Sequence, residues 1–198
     1  MTDLAIYSFS FTGAGLHLAD LRRLACLAVE KGRDAIHDRQ LSEEVIKKGN
    51  ERTNRRELQE FRKRIEVLSD EQLSLQCEGD LFEQKQIALL GICKAYTYFK
   101  DFVVEVILEK YVVFDYELTE GDYFTFLNRK LEHHPELENF SSSTLGKVKT
   151  RVFHMLTETG VIEVGTRKIL PQALSSRVQQ AISSDDPKWL LIYPTYND

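Results

Sequence analysis

The chain has 198 residues, of which 42% are hydrophobic and 29% are charged, as in an ordinary globular protein. This length allows one compact domain or two small ones, and the composition excludes wholesale disorder. Lysine and arginine number 26 against 31 aspartates and glutamates, so the formal charge is -5. A uniformly basic coat for nucleic acid is therefore excluded, and any polyanion must be held by a local patch.

The three cysteines, Cys26, Cys77 and Cys93, are odd in number and far apart. This spacing predicts reduced core thiols, because it suits neither a disulfide framework nor paired zinc ligands. No apolar run reaches the roughly 18 residues that a membrane helix needs. The first residues lack a cationic, then apolar, signal pattern. We therefore expect a soluble cytoplasmic protein with no membrane partner.

The first 134 residues contain no proline, so long helices are permitted there. Apolar residues at helical spacing predict a helix from Leu18 that ends at Gly32. A second helix is predicted over residues 34–48. A third is predicted to begin at Asn54, because Asn54 with Glu57 three positions later is typical of a capped helix start.

The middle of the chain predicts the core helices, which run from Asp80 to about Tyr111. Thr119, with Asp122 three residues later, predicts the start of another helix, which Pro135 ends. Alternating or continuous apolar runs predict two short strands, at residues 7–11 and 190–193.

Residues 141–170 predict a helix followed by a β-hairpin. Serines 141–143 are positioned to cap the helix and Gly160 to end it. The β-prone runs 161–164 and 167–170 then surround a glycine-containing turn. This order of helix and hairpin is that of the recognition helix and wing in winged-helix proteins, although a core helix with a covering hairpin would show the same pattern.

Charge is segregated along the chain. Residues 47–64 carry eight basic and three acidic side chains, and residues 101–140 carry three basic and ten acidic ones. On a helix the first basic cluster would form a ridge opposite the apolar stripe. The residues of this ridge are Arg52, Arg55, Arg56, Arg62 and Lys63. Such a ridge suits phosphate binding, but it is equally the pattern of a solvated helix face paired with nearby glutamates.

A second basic cluster lies in residues 141–170, with five basic and two acidic side chains. Exposed residues of the helix and of the predicted wing are the candidates for contact with nucleic acid. These candidates are Lys147, Thr150, Arg151, Arg167 and Lys168.

Catalytic and metal-binding patterns are weak. His133 and His134 are adjacent and diverge by about 100° on a helix, so they are poor joint ligands. The glycines of residues 12–15 are not followed by the Lys-Ser/Thr of a P-loop. The sequence therefore predicts no enzyme, no metal site and no cofactor.

Several short motifs occur in a familiar order. They are Tyr7-Ser8, Thr12-Gly13-x-Gly15-Leu16, Arg22-Arg23, Asn50-x-x-x-Asn54-Arg55-Arg56, Arg62-x-Arg64, Phe102, Thr119-x-x-Asp122-x-x-x-Phe126, Ser143-Thr144-x-x-Lys147-x-x-x-Arg151 and Glu158-x-Gly160. Together, over roughly residues 5–170, they resemble the BrxA family of BREX bacteriophage-resistance systems.

The resemblance implies a mainly α, NusB-like compact helical bundle that binds double-stranded DNA. It also implies other BREX subunits as partners and no catalytic activity. We expect two helical subdomains, an N-terminal one over 1–78 and a C-terminal one over 79–198. The C-terminal subdomain would contain the winged-helix-like segment 141–170 with its β-hairpin. Two alternatives remain open: an RNA-binding NusB-like factor, and a scaffold that docks other defence subunits.

Overall fold

The computed structural model describes residues 6–46 and 50–195, and these are mainly helical, as predicted. The α-helices of the described residues are α1 (Leu18–Lys31), α2 (Arg39–Val45), α3 (Glu51–Glu66), α4 (Asp70–Glu78), α5 (Leu81–Ala95), α6 (Thr97–Phe102), α7 (Glu109–Val112), α8 (Glu120–Leu131), α9 (Ser142–Thr159) and α10 (Ser176–Ser183). Short 3₁₀ segments are Ser10–Gly13, Arg33–Ile36, Pro135–Asn139 and Pro187–Ile192, and a π-helical segment, Val103–Leu108, joins α6 to α7.

The chain forms two compact units. Of the described residues, the first unit holds 6–12, 96–173 and 191–195, and the second holds 13–46, 50–95 and 174–190. The boundary predicted after residue 78 falls between α4 and α5, which both belong to the second unit.

The core of the second unit is made by α1, α3, α4 and α5, with α10 packed against α4 and α5. Leu24 of α1, Phe61 of α3 and Ile87 of α5 are fully buried there. Helices α3 and α5 approach closely at Gly91, where an added Cβ would lie 2.8 Å from the carbonyl oxygen of Arg64. Glycine at this position therefore sets the packing distance between the two helices.

Two of the three cysteines are joined, so the prediction of three reduced thiols was wrong. Cys26 of α1 and Cys77 of α4 form a disulfide with their Cα atoms 4.8 Å apart. The partners are separated by 51 residues, and they meet because α1 packs along α4. The spacing of the cysteines along the chain does not indicate this pairing. Cys93 is a buried thiol in α5.

The core of the first unit is an aromatic cluster. The ring of Phe102 contacts those of Tyr123, Phe126 and Phe153. The Tyr98 hydroxyl donates a hydrogen bond to the Tyr123 hydroxyl at 3.1 Å, and burial raises the pKa of Tyr123 to about 12. Aromatic pairs of this kind add to the stability that area burial provides.

Three helix starts or ends were predicted correctly. Helix α1 runs from Leu18 to Lys31. Thr119 and Asp122 form the capping box of α8. Gly160 ends α9 in a left-handed conformation, with φ of 80°.

The start predicted for the third helix was wrong by one turn. The cap of α3 is Asn50, whose side chain accepts a hydrogen bond from the Arg52 amide at 2.9 Å. Asn54 lies inside the first turn. The helix predicted over 34–48 divides into a 3₁₀ turn and α2, because Asp38 caps a new helix by accepting from the Leu41 amide. Residues 47–49 lie outside the described residues.

The central apolar segment is also divided. Helix α5 ends at Ala95, and Tyr96 has an extended backbone before α6 begins. Helices α4 and α10 were not predicted. Their signals are nevertheless present, since Ser69 with Gln72 forms a capping box and Ser175 caps α10.

The predicted β-structure was wrong. Residues 7–9 form no strand, residues 10–13 form a 3₁₀ turn, and 187–192 form a 3₁₀ helix. The predicted hairpin of 161–170 is reduced to an isolated bridge between Ile162 and Ile169, and Lys168 bridges instead to Glu117. The second predicted run does not begin as a strand, because Arg167 has φ of 58°, in the left-handed region, and its amide donates to the Glu163 carbonyl as part of the turn.

Candidate nucleic-acid interface

Helix α3 presents the residues of the predicted ridge, which we therefore call the α3 ridge. Leu58, Phe61 and Ile65 are buried on one face, which holds the helix against the second unit's core. Because α3 begins at Glu51, Arg52 lies in its first turn. Arg52, Arg55 and Arg56 are exposed, whereas Arg62 and Lys63 are half-buried. The α3 ridge therefore has an exposed N-terminal half, with Arg52, Arg55 and Arg56. Its C-terminal half, with Arg62 and Lys63, is partly covered.

The C-terminal half of the α3 ridge is engaged by the protein itself. Arg62 donates hydrogen bonds to the Ile36 carbonyl at 2.5 Å and to the Ser42 hydroxyl at 2.8 Å, and burial lowers the pKa of its guanidinium. Lys63 pairs with Glu60 at 2.8 Å. Arg62 braces α3 against the segment before it, and Lys63 is paired within α3, so both charges are less available to a ligand.

Arg55 shares a carboxylate with an arginine that the sequence did not single out. Glu51 accepts from Arg55 at 3.1 Å and from Arg39 of α2 at 2.9 Å. Arg39 also pairs with Glu43, and this hydrogen bond raises the pKa of the Arg39 guanidinium. The spacing of Arg39 and Glu43, four residues apart on a helix, was the available signal, but only tertiary packing places Arg39 beside α3.

Arg52 and Arg56 retain exposed guanidinium groups that form no ion pair with any described residue. Arg56 lies against Gly13, where an added Cβ would come within 2.7 Å of its Nε atom. A planar guanidinium can contact phosphate oxygens with two parallel hydrogen bonds. These two side chains are the part of the α3 ridge best placed to bind an anion.

The second predicted contact set lies on the first unit, and we call it the α9 surface: Lys147, Thr150, Arg151, Arg167 and Lys168. Lys147 and Thr150 are exposed and Arg151 is half-buried, which places the three side chains on the open side of α9. The Thr150 hydroxyl donates to the Gly146 carbonyl at 3.0 Å within the same helix. Lys147 and Arg151 form no ion pair with a described residue.

Of the two basic residues after α9, one is available to a ligand and the other is engaged by the protein itself. Lys168 is exposed, but Arg167 lies over the Phe153 ring and 3.6 Å from Glu120. Glu120 also accepts from Lys149 at 2.6 Å, and this hydrogen bond lowers the pKa of the Glu120 carboxyl. Glu120 therefore neutralises part of the positive charge that the sequence places in this segment.

Other kinds of site are not apparent in the part of the chain that the structure describes. Within residues 6–46 and 50–195, no three histidine, cysteine, aspartate or glutamate side chains converge as a metal site would require. Over the same ranges no helix is long and apolar enough to cross a membrane. His134 is buried and stacks on the Tyr7 ring, which accounts for its place in the fold.

The fold and these surfaces define a small, mainly helical protein that carries separate cationic helix faces. The sequence model of the BrxA family matches residues 5–186, so the chain belongs to the BrxA family, as the motifs indicated.

Two curated relatives share this family. The chain is 22% identical over 172 residues to the BREX protein BrxA of Bacillus cereus (strain H3081.97), which covers 85% of this chain and 86% of the relative. It is 24% identical over 126 residues to the BREX protein BrxA of Escherichia coli O9:H4 (strain HS), covering 64% and 59% respectively.

One solved structure shows the same fold. The crystal structure of an uncharacterized protein from Magnetospirillum magneticum superimposes with a TM-score of 0.76 over 98% of this chain and 100% of that one. The two sequences are 20% identical, so the comparison concerns the fold alone.

Proposed function

We propose that this protein is a non-catalytic, DNA-binding member of a BREX phage-defence system. The defence role follows from its membership of the BrxA family and from relatives that are named BREX proteins. The observation that carries the DNA-binding proposal is the pair of exposed guanidinium groups of Arg52 and Arg56, which have no carboxylate partner among the described residues. Other BREX subunits are the proposed protein partners.

Binding of duplex DNA would occur mainly through phosphates. Arg52 and Arg56 lie on successive turns of one rigid helix, so they can engage neighbouring phosphates without ordering a loop. Their contacts release condensed counterions, and the affinity therefore falls steeply as salt rises. Little sequence preference is expected, because contacts to phosphate carry no direct information about the bases.

The α9 surface is proposed as a second contact region. Lys147, Arg151 and Lys168 supply its available charge, whereas Arg167 supplies less because it is paired with Glu120. A winged-helix mode of binding is not supported for this region, because residues 161–170 do not form the two-stranded wing. Its contribution would therefore be electrostatic, without a hairpin in the minor groove.

The test is fluorescence anisotropy with duplex DNA over a series of salt concentrations. Replacing Arg52 and Arg56 by alanine should weaken binding and reduce the slope of log K against log salt by about 1.8, since each lost phosphate contact changes it by about 0.9. The matched control replaces Lys85 and Lys188, which removes two positive charges elsewhere in the same unit. A slope that the Arg52 and Arg56 replacements leave unaltered would contradict the role of the α3 ridge.

A competition experiment distinguishes the RNA alternative that the predicted NusB-like fold raises. Duplex DNA and structured RNA of equal length would compete for the labelled complex at one salt concentration. Displacement by DNA at lower concentration supports the proposal. Preferential displacement by RNA would favour the RNA-binding factor. If neither nucleic acid binds at low salt, the scaffold is favoured.

A further inference from the structure

One cysteine of the disulfide lines a surface groove on the second unit. The groove runs beside α1, and its apolar lining consists of Cys26 and Leu27 of α1 with Val45 of α2. Its volume is about 370 Å³, within the range of roughly 300–1,000 Å³ typical of small-molecule sites. We call it the α1 groove.

The two sulfur atoms of the disulfide differ in access. Cys26 is half-buried and lines the α1 groove, whereas Cys77 is only 7% exposed and lies outside the groove lining. A disulfide is opened by a thiolate that must reach one of the two sulfur atoms, so access decides which one is attacked. Exposed disulfides are the labile ones, whereas enclosed disulfides resist exchange. Attack is therefore directed to Cys26.

The charge of the α1 groove favours an anionic thiol. Its charged lining residues are Arg22, Arg23 and Lys31 against Glu30. Arg23 is paired with Asp20, so its charge is offset. Lys31 is exposed and forms no ion pair with a described residue, and together with Arg22 it outweighs Glu30. A positive groove raises the local concentration of anions, including thiolates that carry carboxylates.

Arg22 also lies beside the residue that carries the leaving sulfur. Its Nε donates a hydrogen bond to the Cys77 carbonyl at 2.8 Å, which holds the guanidinium next to Cys77. The leaving sulfur gains negative charge as the S–S bond breaks, and a neighbouring cation stabilises a thiolate. One side chain therefore contributes to the charge of the α1 groove and to the release of Cys77.

We propose that Cys26 is the exchange site of a reversible disulfide, and that its reductant is a small anionic thiol bound in the α1 groove. The reductant's thiolate attacks Cys26 Sγ and forms a mixed disulfide, while the electron pair of the Cys26–Cys77 bond goes to Cys77 Sγ. A second reductant thiolate attacks the sulfur of the first and releases Cys26. The two reductant molecules leave as their own disulfide, and each released cysteine takes up the proton that an attacking thiol has lost.

The exchange removes the covalent link between α1 and α4. Helix α1 also packs on α3 and α5, so the link stabilises a helix that contacts most of the second unit's core. Reduction should therefore lower the hydrogen-exchange protection of α1 and α4, and reoxidation should restore it. The inference does not rest on DNA binding, because the α1 groove includes no residue of the α3 ridge or the α9 surface.

The test treats the folded full chain with reduced glutathione, a thiol of net negative charge at neutral pH. The reaction is stopped at intervals with N-ethylmaleimide in denaturant, and the cysteine adducts are identified by peptide mass spectrometry. The intermediate should carry glutathione on Cys26 and the alkylating reagent on Cys77. Cys93, which is 1% exposed, is the internal control and should carry no glutathione.

A second thiol tests the charge of the α1 groove. Cysteamine is a small thiol of positive charge, and the ratio of the glutathione rate to the cysteamine rate reports the preference for an anion. Lys31→Glu should lower this ratio by about threefold or more, because it reverses a charge of the groove. Lys188→Glu makes the same change at an exposed lysine outside the groove and should leave the ratio unaltered.

A matched pair of variants compares the two cysteines without their link. Cys77→Ser keeps the half-buried Cys26, and Cys26→Ser keeps the buried Cys77, while both variants lose the same disulfide. Oxidised glutathione should modify the Cys77→Ser variant at least about tenfold faster, because an accessible thiol beside cations is the more reactive one.

Three results would overturn the proposal. The first is reduction that occurs only when the protein unfolds, so that its rate follows the denaturant dependence of unfolding. The second is an intermediate that carries glutathione on Cys77 instead of Cys26. The third is a ratio of glutathione to cysteamine rates that Lys31→Glu leaves equal to that of the parent. None of these results bears on DNA binding, which is measured separately by anisotropy.

Discussion

The two compact units differ in the interactions that stabilise the interior of each. The first unit is centred on aromatic rings, with Phe102 in contact with three others. The second unit contains the disulfide and several charged groups that are buried or nearly so, among them Arg64 and Lys94. Aromatic packing responds little to pH or reductant, whereas a disulfide responds to reductant and buried ion pairs respond to pH. The units should therefore fail under different conditions.

The largest expected effect is the loss of the disulfide. Replacing Cys26 and Cys77 by serine should lower the free energy of unfolding of the second unit by about 4 kcal/mol, the chain-entropy value for a loop of this length. Hydrogen exchange should show lower protection in α1 and α4. The aromatic helices α6 and α8 are the internal control, and equal loss of protection in them would contradict the separation of the units.

The next largest effect concerns a buried arginine. Arg64 is 1% exposed and donates to the Gly15 carbonyl at 2.6 Å and the Ala14 carbonyl at 3.3 Å. Arg64→Met should lower the free energy of unfolding by about 3 kcal/mol, because two buried carbonyls lose a charged donor.

Arg52→Met is the matched control, since it removes an exposed arginine from the same helix. Its effect on stability should be within about 0.5 kcal/mol in urea denaturation. Similar losses for the two variants would mean that the position of an arginine on α3 does not decide its role.

The smallest expected effect is a pH dependence of the second unit. A hydrogen bond from Lys94 at 2.5 Å lowers the pKa of Asp185 below its ordinary value of about 3.9. A carboxyl whose folded pKa is depressed stabilises the protein above its unfolded pKa, and this stability is lost as pH falls through the folded pKa. Asp185→Asn should therefore cost at most about 1 kcal/mol at neutral pH and nothing in strong acid.

Urea denaturation at a series of pH values checks this dependence, with the aromatic first unit as the reference. A difference between parent and Asp185→Asn that stays constant from neutral pH to pH values well below about 4 would show that the ion pair is not its source.

Local sequence signals explain the parts of the fold that were predicted correctly. The capping pair of Thr119 and Asp122 acts over three residues, and Gly160 ends its helix by its own backbone freedom. The start at Asn54 was wrong because Asn50 offers an equivalent cap one turn earlier. The predicted hairpin was wrong because Arg167 adopts a left-handed backbone conformation and belongs to the turn, which leaves only an isolated bridge between Ile162 and Ile169.

The candidate site shows the same division. Sequence alone determined that basic residues are concentrated in two helices and that one face of α3 is apolar, since both properties follow from composition and helical period. Only the tertiary structure decided which cations remain available: Arg62 turns to the Ile36 carbonyl, and Glu120 takes up part of the charge near α9. The pairing of Cys26 with Cys77 was likewise decided by packing. Charge and periodicity are local properties of a sequence, whereas partners and exposure depend on which distant segments meet.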